Sequence, residues 1–82
     1  MPVTYFVALP FGRNEDGDLV PLAAVECQGE GAAKRRAEVL AKTDGNVGAV
    51  AFRRSGEPAT GEFDPATVIA KFGEVPDDLG EL

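Results

Sequence analysis

Hydrophobic and polar positions alternate along this chain with two different periods. Residues 3–11, 19–27, 46–54 and 66–72 show the two-residue repeat or the short apolar run that is typical of strands. Residues 30–43 lie between the two pairs, and their apolar residues recur at helical spacing. The pattern predicts an α+β fold, in which a four-stranded antiparallel sheet in ββαββ order carries one helix on one face.

The segment that precedes Gly73 supports two interpretations. Asp64-Pro65 is typical of a helix start, and Gly73 would end a short helix over 65–72. The β-branched run Thr67-Val68-Ile69 disfavours a helix, and strand 46–54 needs a partner for its backbone groups. We therefore expect a strand here.

The 82 residues correspond to one small domain. Residues 1–74 hold all the predicted elements, and residues 75–82 have the composition of an acidic, irregular tail. One helix covers one face of a sheet, so we expect the other face to keep exposed apolar groups such as Phe6 and Ala8. This face would bind a partner protein or a second copy of the chain. Alternatively, the tail covers it, with Val75, Leu79 and Leu82 as anchors.

The net charge of −6 is unevenly distributed, because residues 31–54 carry six basic and two acidic side chains between two acidic ends. Exposed charges of this kind usually provide solubility and weak ion pairs. We assign some of the basic residues to a candidate interaction surface, together with Phe6 and Ala8. These basic residues are Lys34, Arg35, Lys42, Arg53 and Arg54.

The sequence predicts a non-enzymatic protein-interaction module, with a homodimer through the uncovered sheet face as one form of it. The alternative is a nucleic-acid-associated regulator that uses the basic helix face and the two arginines of the third strand. Nucleic-acid binding requires neighbouring cations and usually aromatic stacking partners. The acidic total charge and the aromatic content of 7% disfavour it.

Little in the sequence can support catalysis. The chain has no His, the usual general acid–base at neutral pH. Cys27 shares a strand face with Val25 and Ala23, which predicts a buried thiol rather than a nucleophile. The string Asp16-Gly17-Asp18 lacks the full ligand spacing of a calcium loop. We therefore expect no enzymatic activity, no cofactor and no metal.

The sequence also predicts the cellular compartment of the protein. No apolar run approaches the roughly 18 residues of a membrane span, and the N-terminus lacks the features of a secretory signal. A single cysteine forms no internal disulfide, which gives no indication of an oxidising compartment. We expect a cytoplasmic protein without membrane contact.

Three segments carry a family resemblance: Tyr5-Phe6-Val7-Ala8-Leu9-Pro10-Phe11, Ala51-Phe52-Arg53-Arg54-Ser55-Gly56-Glu57-Pro58 and Phe72-Gly73-Glu74-Val75-Pro76-Asp77-Asp78-Leu79. Together they resemble a family of small uncharacterised alphaproteobacterial proteins. The resemblance covers most of the chain and implies a bacterial cytoplasmic protein. It transfers no activity, cofactor or site residue.

Overall fold

The computed structural model describes residues 2–76, which form six strands and one helix. The strands are β1 (Val3–Arg13), β2 (Leu19–Pro21), β3 (Val25–Cys27), β4 (Gly48–Glu57), β5 (Glu62–Phe63) and β6 (Thr67–Gly73). The helix, α1, spans Glu30–Ala41. The predicted α+β class, with one helix and an antiparallel sheet, is confirmed.

Strands β1 and β4 form the centre of the sheet. They pair antiparallel over a long stretch, from Val3 opposite Gly56 to Phe11 opposite Gly48. Along the outer side of β1 lie β2 and then β3, and along the outer side of β4 lie β5 and β6. Both edges of the sheet are therefore built from two consecutive strands, of which β2, β3 and β5 are only two or three residues long.

The element order is βββαβββ, so the predicted ββαββ order is not what the described residues show. Strand β2 ends at Pro21, which has no backbone N–H to continue the ladder, and residues 22–24 separate it from β3. On the other edge, residues 64–66 separate β5 from β6 and contain Pro65. The ambiguous segment before Gly73 is a strand, as expected, and it corresponds to β6.

Side chains from the following loop close the C-terminal end of α1. The Thr43 hydroxyl donates to the Val39 carbonyl at 2.9 Å, and the Asn46 side-chain amide donates to the Leu40 carbonyl at 2.9 Å. The same two carbonyls also accept the backbone N–H groups of Lys42 and Thr43, so the side-chain bonds add second donors at the end of the helix. They also hold the end of α1 against the segment that leads into β4.

The sheet has a hydrophobic cluster on each side. The cluster under α1 consists of fully buried alanines, namely Ala8, Ala33, Ala37, Ala49 and Ala51. The opposite side of the sheet, which we call the far face, buries larger side chains, namely Leu9, Phe11, Val50 and Phe52. Strand alternation accounts for this division, because neighbouring residues of β1 and β4 point to opposite sides. The fully buried side chains under the helix are thus small, and larger, partly buried ones such as Phe6, Leu40 and Phe72 pack around them.

Candidate interaction surface

The two apolar residues predicted for the uncovered face lie on the other side of the sheet. Ala8 is fully buried in the cluster under α1, and Phe6 is half-buried and packs against the same cluster. The strand alternation itself is correct, but α1 covers the even-numbered positions of β1 rather than the odd-numbered ones. Val7 and Leu9 therefore belong to the far face, and Phe6 and Ala8 do not.

The exposed apolar side chains of the far face lie at the start of β1 and on β5 and β6, the two strands on the outer side of β4. Val3 is 41% exposed, Phe63 is 45% exposed and Val68 is 37% exposed. These are three of the five large hydrophobic side chains that are exposed within residues 2–76. Tyr5 is half-buried on the same face, next to Val3 along β1 and in contact with Phe63, and Val68 lies across β4, opposite Phe52. We call these four residues the aromatic patch.

The register of the sheet explains why Phe63 joins Val3 and Tyr5. Gly56 lies opposite Val3 on one side and opposite Phe63 on the other. A Cβ atom at Gly56 would overlap the Phe63 ring, so glycine allows this ring to lie directly on the β4 backbone. The Tyr5 and Phe63 rings are 6.0 Å apart between centroids and tilted by 42°, an ordinary aromatic pair.

Arg54 lies within the aromatic patch. It is opposite Tyr5 in the ladder. Gly56 and Phe52 lie two residues from it along β4, on the same face of the sheet. Its side chain is half-buried, and its Nε atom is buried. Among the predicted basic residues, Arg54 is the one that the structure places beside the exposed aromatic groups.

The other end of the far face is closed by the chain that follows β6. Glu74 passes over Gly48, where a Cβ atom would overlap the Glu74 carbonyl, and the Glu74 N–H donates to the Val47 carbonyl at 2.9 Å. Val75 then packs against the far-face cluster. Of the three predicted anchors of the tail, Val75 is therefore in contact with the sheet, and Leu79 and Leu82 lie outside the described residues.

The predicted basic residues do not form one surface. Lys34 and Arg35 are exposed on α1. Lys42 lies 3.4 Å from Glu38, and Arg53 lies 2.8 Å from Glu30, where it ties β4 to the start of α1. Both ion pairs are exposed and contribute on the order of 0–1 kcal/mol each. Arg54 is on the opposite side of the sheet from Arg53.

Beside the aromatic patch is a shallow cavity of about 380 Å³. Its lining combines Phe63 and Gly56 with acidic residues that the register places on the other side of the sheet from the Phe63 ring. The lining residues are Pro2, Gly56, Glu57, Glu62, Phe63 and Asp64. Glu57 and Glu62 are directly opposite each other in the β4–β5 ladder, so this corner of the molecule concentrates negative charge.

Cys27 and the Asp16-Gly17-Asp18 segment, which were considered for catalysis and for metal binding, make structural contacts. The Cys27 thiol is half-buried among the residues that pack against α1, and its Sγ lies 3.6 Å from the Val25 carbonyl oxygen. The Asn14 side-chain oxygen accepts hydrogen bonds from the backbone N–H groups of Asp16 and Asp18, both at 3.0 Å, and so closes the turn between β1 and β2. Within residues 2–76, no three His, Cys, Asp or Glu side chains are grouped in a way that would hold a metal ion.

No family model, no curated protein and no solved structure matches the chain. The resemblance to small alphaproteobacterial proteins therefore stays a prediction. In the described part of the chain, no helix is long and apolar enough to span a membrane.

Sequence reasoning missed most of the aromatic patch. Phe63 follows a polar connection and precedes the predicted fourth strand, so it belonged to no predicted element. Val3 and Tyr5 share the odd-numbered side of β1 with Val7, Leu9 and Phe11, which the alternation does show. The available signal was the small side chains at Ala8, Ala49 and Ala51, because a helix made of alanine packs closest to a sheet surface that is also made of alanine.

Proposed function

We propose that this chain is a non-enzymatic protein-interaction module that binds its partner through the aromatic patch. The observation that carries the proposal is the exposure of three large apolar side chains on one face. Val3 and Phe63 adjoin Tyr5, and Val68 lies on the same face across β4, opposite Phe52. A contiguous exposed apolar surface is costly in water and usually marks an interface. Tyr, Phe and Arg are also the side chains enriched where protein interfaces are buried, and Arg54 lies beside Tyr5 here.

The proposal includes a cytoplasmic location, supported by the single unpaired cysteine. The nucleic-acid alternative would need the predicted cations on one surface. Arg53 and Arg54 point to opposite sides of the sheet, and Arg53 and Lys42 are ion-paired with glutamates. These placements favour a protein partner over a phosphate backbone.

The test compares two substitutions that remove similar exposed side chains from different places. Phe63→Gln alters the aromatic patch, and Leu22→Gln alters a leucine of similar exposure (41%) beside Gly12. We expect wild-type protein and Leu22→Gln, immobilised separately, to retain the same partner from nuclease-treated lysate of the source organism. Phe63→Gln should lose it, with retention at least roughly tenfold lower, which corresponds to about 1.4 kcal/mol.

Three results would contradict the proposal. One is equal retention by all three proteins, which would place binding elsewhere. Another is the absence of a retained protein together with a monomeric wild-type chain in light scattering. The third is co-purified RNA or DNA, before nuclease treatment, that Phe63→Gln retains as well as wild type, which would favour the nucleic-acid alternative. Far-UV circular dichroism of each variant checks that the fold is intact.

A further inference from the structure

The chain leaves the sheet onto the far face directly after β6. Gly73 adopts a positive φ of 69°, and Glu74 then crosses above the start of β4. The Glu74 carboxylate accepts a hydrogen bond from Arg13 of β1 at 3.0 Å, and Val75 packs against the far-face cluster. Residues 77–82, which we call the acidic segment, therefore continue from a point on the far face.

The centre of the far face is deeply buried, although no helix in the described part of the chain covers it. Val50 is 0% exposed and Phe52 is 9% exposed. The partly buried hydrophobic residues that pack against this cluster are Val7, Ala66 and Val75. Val7 belongs to the sheet and Ala66 to its edge, so Val75 is the one of the three whose chain crosses the face. An open sheet face leaves its central side chains in contact with water, so this burial indicates a layer of chain that begins with Val75.

The acidic segment is long enough to follow β4 across the far face. Arg54 lies six residues after Gly48, the residue that Glu74 crosses, which is about 20 Å at strand spacing. The eight residues that follow Glu74 span up to about 26–29 Å when they are extended. A segment that runs along β4 therefore reaches Arg54.

The charges on the far face favour this path. Strand register places Lys71 on this face, opposite Val50, together with Arg54. Glu26, which the register also places on this face, lies at the opposite edge, in β3. The acidic segment contains three carboxylates and two leucines, in the order Asp-Asp-Leu-Gly-Glu-Leu. Its carboxylates are attracted to the two cations on β4 and β6 and repelled by the β3 edge, and its leucines match the apolar centre of the face.

We infer that the acidic segment docks on the far face along β4, up to Arg54, and competes with the partner of the aromatic patch. The inference rests on the proposed function, since it concerns access to the same patch. Arg54 is opposite Tyr5, and Phe52, two residues away along β4, is opposite Val68. A segment that reaches Arg54 therefore lies between Tyr5 and Val68 and divides the patch. A partner that contacts both sides of the patch has to displace it.

The chain carries its own reporter for this contact. Tyr5 is the single tyrosine and the chain has no tryptophan, so its tyrosine fluorescence comes from one position, opposite Arg54. Asp77→Lys/Asp78→Lys, which we call the segment variant, reverses the attraction and should release the segment. We expect the acrylamide quenching constant of Tyr5 to rise about twofold as the population shifts to the released state. Acrylamide is uncharged, so the substitutions neither attract nor repel it.

Two further variants separate docking from a general effect of charge. Asp16→Lys/Asp18→Lys makes the same change in net charge at exposed positions between β1 and β2, and it should leave the Tyr5 quenching constant unchanged. Adding Lys71→Glu to the segment variant restores opposite charges on the segment and the far face. This combination should return the quenching constant toward the wild-type value. Lys71 is exposed, and circular dichroism verifies that each variant stays folded.

The competition is measured in the lysate experiment that also tests Phe63→Gln. The immobilised segment variant should retain at least about threefold more partner than wild-type protein, because a site that is open only part of the time binds with an affinity reduced by the open fraction. The combination with Lys71→Glu and the variant Asp16→Lys/Asp18→Lys should both retain the wild-type amount.

The Tyr5 measurements need no partner, so the outcomes separate this inference from the proposed function. An unchanged quenching constant in the segment variant would overturn the inference, as would an equal rise in Asp16→Lys/Asp18→Lys or the absence of a rescue by Lys71→Glu. Equal or lower retention of the partner by the segment variant would overturn the competition. Failure of Phe63→Gln to affect any partner would instead remove the proposed function, and the fluorescence would still decide whether the segment docks.

Discussion

Replacing Gly48 with alanine is expected to destabilise the fold by about 3 kcal/mol, near the upper end of the cost of overpacking. Gly48 is buried at the start of β4, and the new Cβ atom would overlap the backbone carbonyl of Glu74. The obstacle is main chain, which cannot rotate away as a side chain does. Relief requires the segment around Glu74 to move, and its hydrogen bond to the Val47 carbonyl then weakens.

Urea denaturation followed by circular dichroism measures this loss as a lower midpoint at unchanged slope. Gly31→Ala is the matched control, because Gly31 is exposed within α1 and a Cβ atom there would lie 3.4 Å from the flexible end of the Arg35 side chain. Alanine is the better helix former by roughly 0.5–1 kcal/mol, so the control should raise stability. Equal effects of the two substitutions would refute the assignment of Gly48 as a site of close backbone approach.

Phe11→Ala is expected to cost about 3–5 kcal/mol, because it removes a large buried side chain and leaves a cavity. Phe11 is 3% exposed and packs in the far-face cluster with Val50. Small domains have total stabilities on the order of 5–15 kcal/mol, so this single change would remove a large part of the free energy of unfolding.

The comparison for Phe11 is Leu40→Ala on the opposite side of the sheet. Leu40 is half-buried and packs at the margin of the alanine cluster. Leu40→Ala should therefore lower the free energy of unfolding by less than Phe11→Ala does in the same urea titration, since a partly buried side chain removes less apolar area from water. A larger loss for Leu40→Ala would show that the side under the helix, and not the far face, holds the main core.

The sequence allowed the helix and all the strands except β5 to be located, with β2 and β3 taken as one strand, but not the side on which the helix packs. Both sides of β1 carry apolar residues, so alternation alone defines two faces but does not show which of them the helix covers. What decides is residue size: Ala8, Ala49 and Ala51 offer a flat surface, and the alanines of α1 fit against it. Hydrophobicity ignores this distinction, because an alanine and a leucine both count as apolar.

The aromatic patch depends on register, which sequence patterns specify poorly. Phe63 becomes part of the surface because β5 brings it opposite Gly56, a pairing between residues of a two-residue strand and the end of β4. Pro21 ends β2, and Pro65, which the sequence pattern offered as part of a helix start, lies between β5 and β6. The division of each edge into two strands follows from them, but the length of each interruption depends on the tertiary contacts.

The alanine layer under α1 limits how this protein can vary. Ala8, Ala33, Ala37, Ala49 and Ala51 are all fully enclosed, so a longer side chain at any of them would lift the helix as a rigid body. Glycine would remove the methyl contacts and loosen the backbone. Because the helix and the sheet are so close, almost any substitution at these positions is expected to lower stability. The solvent-facing side of the same helix accepts many different side chains.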